Sequence, residues 1–300
     1  MHDAAVTEAP AQLAAAAAAA AEPAPASALR ESWRSAWERR SFMAACIVLA
    51  GLSALLLMAP TVVVVITSFT SGFSLKFPPP GYSLRWYSAL WNESPELMDA
   101  LVLSLELAAA ASSVSIVFGV AAAMALAKRR EAWARMIETL FLSPLMLPSL
   151  ALGLALLMLF NLAGSGLSFT TLVIGHVAIT APYVFRTTTA SLAQMDPAML
   201  ESARSLGAGP VYAFRTVTLP LIFRGVAAGA FIGFMYSFDN VAVSLFLSDA
   251  RSQALPIRMW QIIESNLDVR AAALSGVLVT ATLLLMLLME RVAGISRHLR

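Results

Sequence analysis

Long runs without charge, divided by short polar segments, dominate this chain. Residues 41–75, 107–127 and 139–185 contain no Asp, Glu, Lys or Arg. A helix needs roughly 20 apolar residues to cross the hydrocarbon core of a bilayer. Backbone groups in lipid must be satisfied within the segment, so such runs read as helices. The pattern predicts a first span at about 42–68 and a second at about 98–127. The third uncharged run is too long for one crossing. Asn161, Gly164 and Gly166 interrupt it, which predicts a third span at about 137–160 and a fourth at about 168–188. A fifth is expected at about 219–247 and a sixth at about 271–292. The expected fold is an all-α integral membrane protein with six transmembrane helices.

Composition agrees. The 300 residues are 59% hydrophobic and 13% charged, whereas soluble domains carry about 25% charged residues. A net charge of +2 gives no reason to expect a nucleic-acid partner. Cys46 is the single cysteine, so no disulfide can form within the chain. His2, His176 and His298 are too scattered for a metal cluster, and no cofactor is expected. The two lysines, Lys76 and Lys128, follow no G-x4-G-K-[ST] turn, so the chain would not bind ATP in that way. H-E-x-x-H and G-x-S-x-G are also missing. Residues 10–28 are mostly Ala and Pro and show no secretory leader pattern. The organisation expected is a low-complexity or disordered tail over 1–40, a transmembrane domain over 41–293 and a C-terminal tail over 294–300.

Basic residues set an orientation. With both termini in the cytoplasm, Arg30, Arg34, Arg39, Arg40, the Lys128–Arg135 cluster, Arg186, Arg204, Arg215, Arg224, Arg291, Arg297 and Arg300 fall inside. They make 15 of the 20 Lys and Arg, which obeys the positive-inside rule. The 189–218 loop then faces the cytoplasm. On the other side, Trp86, Tyr87 and Trp91 suit the membrane–water interface, and Phe77-Pro-Pro-Pro-Gly81 predicts an extended stretch.

The 189–218 loop carries the most specific signal. From Glu201 it reads E-S-A-x3-G-x9-V-T-L-P, ending at Pro220. Asp196 and Pro197 are suited to start a helix. Met199, Leu200, Ala203 and Leu206 share one face, and Glu201 can pair with Arg204. Gly207 permits a left-handed residue that ends the helix, and Gly209-Pro210 can start a second short one ending near Leu219-Pro220. This predicts a small helix–turn–helix knob at the membrane surface. A plain alternative is an amphipathic helix that only anchors the loop.

The stretch resembles the signature loop of the membrane-spanning subunits of type I binding-protein-dependent ABC importers, in which the pattern is E-A-A-x3-G-x9-I-x-L-P. Glu201, Ala203, Gly207, Leu219 and Pro220 match; Ser202 and Val217 are mild departures. Leu142–Pro148, Gly175-His176 with Ala181-Pro182-Tyr183, Ser237–Asp239 and Leu255–Trp260 are similar to the polyamine branch of these permeases. The resemblance implies that Glu201, Ser202, Ala203, Gly207, Leu219 and Pro220 form an ATPase-coupling loop. It also implies two ABC ATPase subunits, a second permease chain or a copy of this one, and an extracytoplasmic substrate-binding protein. The setting it implies is a bacterial inner membrane, and the substrate a polyamine such as putrescine or spermidine or another small solute.

Two acids fall inside expected spans, where ionisable groups cost about 2.5–3.5 kcal/mol on insertion scales and face protein or water. Glu106 and Asp239, with Tyr236 and Asn240 nearby, are therefore candidates to contact a cationic substrate. The plain alternative for each acid is a helix–helix hydrogen bond. His176 reads as an interhelical hydrogen-bond residue rather than a proton carrier. Pro144, Pro148 and Pro182 read as kinks. The rival to an ABC permease is an ion-coupled secondary transporter, which would have no use for a cytoplasmic docking knob.

Overall fold

The computed structural model describes residues 26–127, 129–249, 253–266 and 268–293. The Ala/Pro-rich segment up to residue 25 and the C-terminal tail 294–300 lie outside the described residues. In chain order the helices are α1 Ala26–Ser68, α2 Arg85–Asn92, α3 Pro95–Leu126, α4 Ala132–Leu142, α5 Ser149–Leu162, α6 Phe169–Ala193, α7 Pro197–Ser205, α8 Pro210–Ala213, α9 Leu219–Phe238, α10 Val241–Leu247, α11 Leu255–Asn266 and α12 Val269–Ala293. A 3₁₀ turn, Ser143–Leu145, follows α4, and a π turn, Phe214–Thr218, joins α8 to α9. Among the described residues the only strand-like pairing is a bridge from Thr70 to Tyr82.

Helix α1 starts at Ala26, ahead of the uncharged run, so residues 26–40 of the expected tail are helical. No proline lies between Pro25 and Pro60, and Ala, Leu, Arg and Glu are strong helix formers. The first of two contact units ends at Val62. Its apolar side chains from Phe42 to Met58 are exposed, as suits a helix solvated by lipid.

The second unit, Val63–Arg300, holds the core. Helix α3 runs past three apolar clusters. Leu97 and Ala100 join Leu90 of α2, Leu255 of α11 and Leu274 of α12. Leu107 joins Phe160, Leu172, Ile179, Val243 and Leu247 of α5, α6 and α10. Val120 joins Val184 of α6 and Ile222 and Val226 of α9. Small residues let α6 and α9 approach closely, the usual device where lipid removes the hydrophobic drive between helices. A Cβ on Gly229 would lie 2.8 Å from Val184 Cα and 3.2 Å from the Tyr183 carbonyl. Gly229→Val is therefore expected to force the helices apart at a cost of about 1–3 kcal/mol. A thermal ramp of the purified protein in detergent should show a lower midpoint, with Gly233→Ala unchanged, because a Cβ there meets Thr180 at an ordinary 3.5 Å.

Among the described residues, four helical segments are long and apolar enough to cross a membrane: Trp37–Ser68, Pro95–Leu126, Pro210–Phe238 and Val269–Arg291. The expected third span is not one straight helix. Ala132–Leu145 and Ser149–Leu162 meet at 106°, a fifth crossing if read as one broken span. Pro144 and Pro148 each lack an N–H, so the helical ladder cannot continue between them. The expected fourth span is α6, a 25-residue helix opened by a Ser168–Thr171 capping box. It is less apolar than the others because it spends its interior positions on His176, Thr180 and Thr188, all buried. The expected fifth span, about 219–247, is also two helices. α9 ends at Phe238, and α10 begins after Asp239-Asn240.

The 69–84 loop is folded back rather than extended. Ser71 N donates to Gly81 O at 2.9 Å, and Ser83 N donates to Phe69 O at 2.6 Å. Trp86 and Tyr87 are tied into it: Trp86 Nε1 donates to Gly72 O at 3.0 Å, and the Tyr87 hydroxyl lies 2.8 Å from Ser68 Oγ. Trp91 alone of the three is largely exposed.

Candidate functional site

The knob predicted from the sequence is present. Asp196 caps α7 by accepting from Ala198 N at 2.9 Å, and Pro197 occupies the first turn. At the other end Gly207 has φ +84°. Its N–H donates to Arg204 O at 2.9 Å, and Ala208 N donates to Ala203 O at 3.0 Å. This pair of bonds is the Schellman closure, which satisfies carbonyls that the helix end would otherwise leave open. Ala203 and Gly207 thus belong to one turn. Gly209 then leads into α8 with Pro210 in its first turn.

Apolar side chains of the knob point outward. Met199, Leu206, Val211 and Tyr212 are exposed, Leu206 at 89%, while Leu200 and Ala203 are half-buried. Glu201 and Ser202 are exposed on α7. Among the described residues no ion pair joins Glu201 to Arg204. Both side chains are exposed to solvent, where an i,i+3 pair adds only a few tenths of a kcal/mol.

The chain does not break at Leu219-Pro220. Leu219 N donates to Phe214 O, five residues back, in a π turn. Pro220 lacks the N–H that an α-helix would need, and the wider turn absorbs its ring. The knob therefore runs without interruption through Pro210–Phe238.

The acids are not brought to one cleft. Glu106 lines an open cleft of about 540 Å³ with Glu96, Asp99, Gln253 and Arg258. Asp239 is not among its lining residues. Glu96 and Arg258 form an ion pair across it. Asp239 is the exposed C-cap of α9, its N–H donating to Met235 O at 3.1 Å. Asn240 is buried and serves as the N-cap of α10: its Oδ1 accepts from Val243 N at 2.8 Å. The Tyr236 ring lies tilted at 56° against Tyr183 of α6, with centroids 5.1 Å apart.

Several polar links had no sequence signal, because they join residues far apart in the chain. Ser104 Oγ of α3 accepts from Leu255 N at 2.7 Å and so caps α11 from another helix. Ser115 and Thr180 hydroxyls lie 2.7 Å apart between α3 and α6. Near the start of α12, Arg270 Nε donates to Asp268 Oδ2 at 2.8 Å and Arg270 Nη1 to Ser94 Oγ at 3.2 Å. Partial burial pushes the Asp268 carboxyl up. The Arg270 side chain and N–H outweigh that and hold it below the ordinary carboxylate range.

Among the described residues the chain is thus a set of packed helices, four or five of them able to cross a membrane by length and composition, with an apolar knob on one loop. The chain belongs to the binding-protein-dependent transport system inner membrane components, the family matched by residues 115–296. Over 245 residues it is 30% identical to the spermidine/putrescine transport system permease protein PotC of Haemophilus influenzae, covering 81% of this chain and 93% of that one. The putrescine transport system permease protein PotI of Escherichia coli K12 is 28% identical over 232 residues, covering 75% of this chain and 82% of its own. A chain in the crystal structure of a bacterial ABC transporter involved in the import of the acidic polysaccharide alginate superposes with a TM-score of 0.63 at 15% identity, covering 86% of this chain and 97% of that one. The last comparison speaks for the fold. Together they make this chain a multi-pass permease subunit of the type I ABC importer family, most similar to the polyamine branch.

Proposed function

We propose that this chain forms half of a substrate pathway and takes its driving force from a separate ATPase through the Glu201–Pro220 loop. The observation that carries the reading is the exposed, Schellman-closed knob: four apolar side chains displayed on a loop whose turn requires Gly207. A rigid apolar knob is what a cleft on another protein can grip and displace. The transmembrane domain, 41–293, crosses six times in this reading: α1, α3, the bent α4–α5 pair, α6, α9 and α12. Helix α6 qualifies although it is less apolar. At 1.5 Å per residue its 25 residues cover roughly 37 Å, and buried polar groups are tolerated in lipid when they face protein. The basic-residue bias places both termini and the knob in the cytoplasm. Two ATPase subunits, a second permease chain or a copy of this one, and an extracytoplasmic binding protein complete the importer.

The substrate class proposed is a polyamine such as putrescine or spermidine. Relatives named for these amines support it, as do Glu106, with Glu96 and Asp99 beside it in one cleft, and the exposed Asp239. The test is uptake of radiolabelled putrescine into proteoliposomes holding the assembled complex and binding protein. Uptake should require internal ATP and be unaffected by a protonophore. Uptake that collapses with the ion gradient and ignores ATP would overturn the reading in favour of an ion-coupled secondary transporter.

A further inference from the structure

At Asp239-Asn240 the chain turns out of α9, the end of one crossing, into the short helix α10. A break in a helix is a place where motion entering at one end can be lost. His176 of α6, fully buried, sits against both sides of this break. Its Nδ1 is 2.8 Å from Ser237 Oγ at the end of α9, and its Nε2 is 3.1 Å from Ser244 Oγ in α10. A neutral imidazole donates with one nitrogen and accepts with the other, so the two hydroxyls satisfy it completely.

The surrounding packing is built to the same end. A Cβ on Gly175 would run into Leu247 and come within 3.1 Å of Val243, both in α10. A Cβ on Gly153 of α5 would lie 3.0 Å from the Ala242 carbonyl. The two glycines form a socket in which α10 is seated, and His176 ties that socket to the end of α9. Thr180 donates to the His176 carbonyl at 2.7 Å and meets Ser115 of α3, so the ring stands on a fixed base.

We propose that His176 is a positioning residue that pins α9 and α10 to α6 across the Asp239-Asn240 break, so that displacement of the cytoplasmic knob reaches the far end of the pathway. The knob joins α6 to α9, so both helices that receive its motion meet at this ring. The inference rests on the reading of the Glu201–Pro220 loop as the docking site.

The test uses the assembled complex in proteoliposomes, in a Cys46→Ser background, with a spin label at Ser205→Cys on the knob or at Leu245→Cys on the exposed face of α10. In the otherwise native chain, ATP with vanadate should change the line shape at both positions. In His176→Ala, the Ser205 label should still respond and the Leu245 label should not. ATP hydrolysis should persist while putrescine uptake falls at least about tenfold, a split that a purely structural loss would not produce. Ser237→Ala and Ser244→Ala each remove one hydroxyl, retain the ring, and should give the same split in milder form; they carry the test should His176→Ala fail to assemble. A Leu245 label that responds normally in the serine variants, with native uptake, overturns the pin. A Ser205 label indifferent to ATP in the native complex overturns the docking reading, and the pin falls with it.

Discussion

Gly207→Asp abolishes recovery of the ATPase subunit with the tagged permease, and uptake goes with it. The expectation follows from backbone geometry. Gly207 sits at φ +84°, where a side chain brings Cβ against the carbonyl, and the left-handed region costs a bulkier residue about 1–2 kcal/mol. Asp tolerates that region better than most residues, but it adds a negative charge at the carbonyl end of α7, where the helix dipole already points its negative pole. Loss of the turn frees Gly207 N and Ala208 N from their carbonyls and lets Leu206 and Val211 drift out of register. A change of about 1.4 kcal/mol is tenfold in an equilibrium, so the conformational and charge terms together give at least that in docking affinity. Beyond Gly207 itself and its two chain neighbours, nothing lies within 4 Å of the position a Cβ would take, so the remainder of the fold is not crowded by the change. The measurement is affinity purification in mild detergent with mass spectrometry of what accompanies the chain. Gly207→Ala should show an intermediate loss. Gly209→Ala should retain the ATPase, because Gly209 has φ −65° and open space around it. An ATPase absent from the native preparation, with the chain intact, would remove the meaning given to the loop.

The knob was legible in the sequence because every signal in it is local. Asp196, Pro197 and Gly207 act on their own few residues, so their spacing alone predicts the cap and the closure. The long apolar runs were legible for the same reason. Breaks inside those runs were harder. Pro144 and Pro148 could be read as a kink, but their close spacing produces a 106° turn that depends on where the neighbouring helices lie. Asp239-Asn240 lies in a run without a helix-stop signal, and the structure adds that Asn240 caps α10 where the helix restarts. At Leu219-Pro220 the opposite happened: a proline expected to end one helix is carried through by a π turn. His176 shows the limit most clearly. Its chemistry could be guessed, but its partners Ser237 and Ser244 are more than 60 residues away in the chain, and no periodicity connects them.

Glu106→Gln and Asp239→Asn are each expected to lower putrescine uptake at subsaturating substrate by about tenfold or more while leaving ATPase recovery unchanged. Both changes keep the volume and remove the charge, so packing is not the variable. A hydrogen bond to a charged group contributes about 1.5–3 kcal/mol, which is the size of effect that loss of one ammonium contact would give. Glu106 stands in the cleft with Glu96, Asp99 and Arg258, and Asp239 is exposed at the end of α9. Glu106 has no apolar reason to lie three turns into α3, since lipid would exclude it; a water-lined or partner-lined face explains its position. The signature of a substrate contact is a raised half-saturation concentration with the maximal rate largely kept, whereas a helix–helix role would reduce the amount of folded permease instead. Normal transport in both variants would exclude them from the pathway and leave the amine specificity to the binding protein.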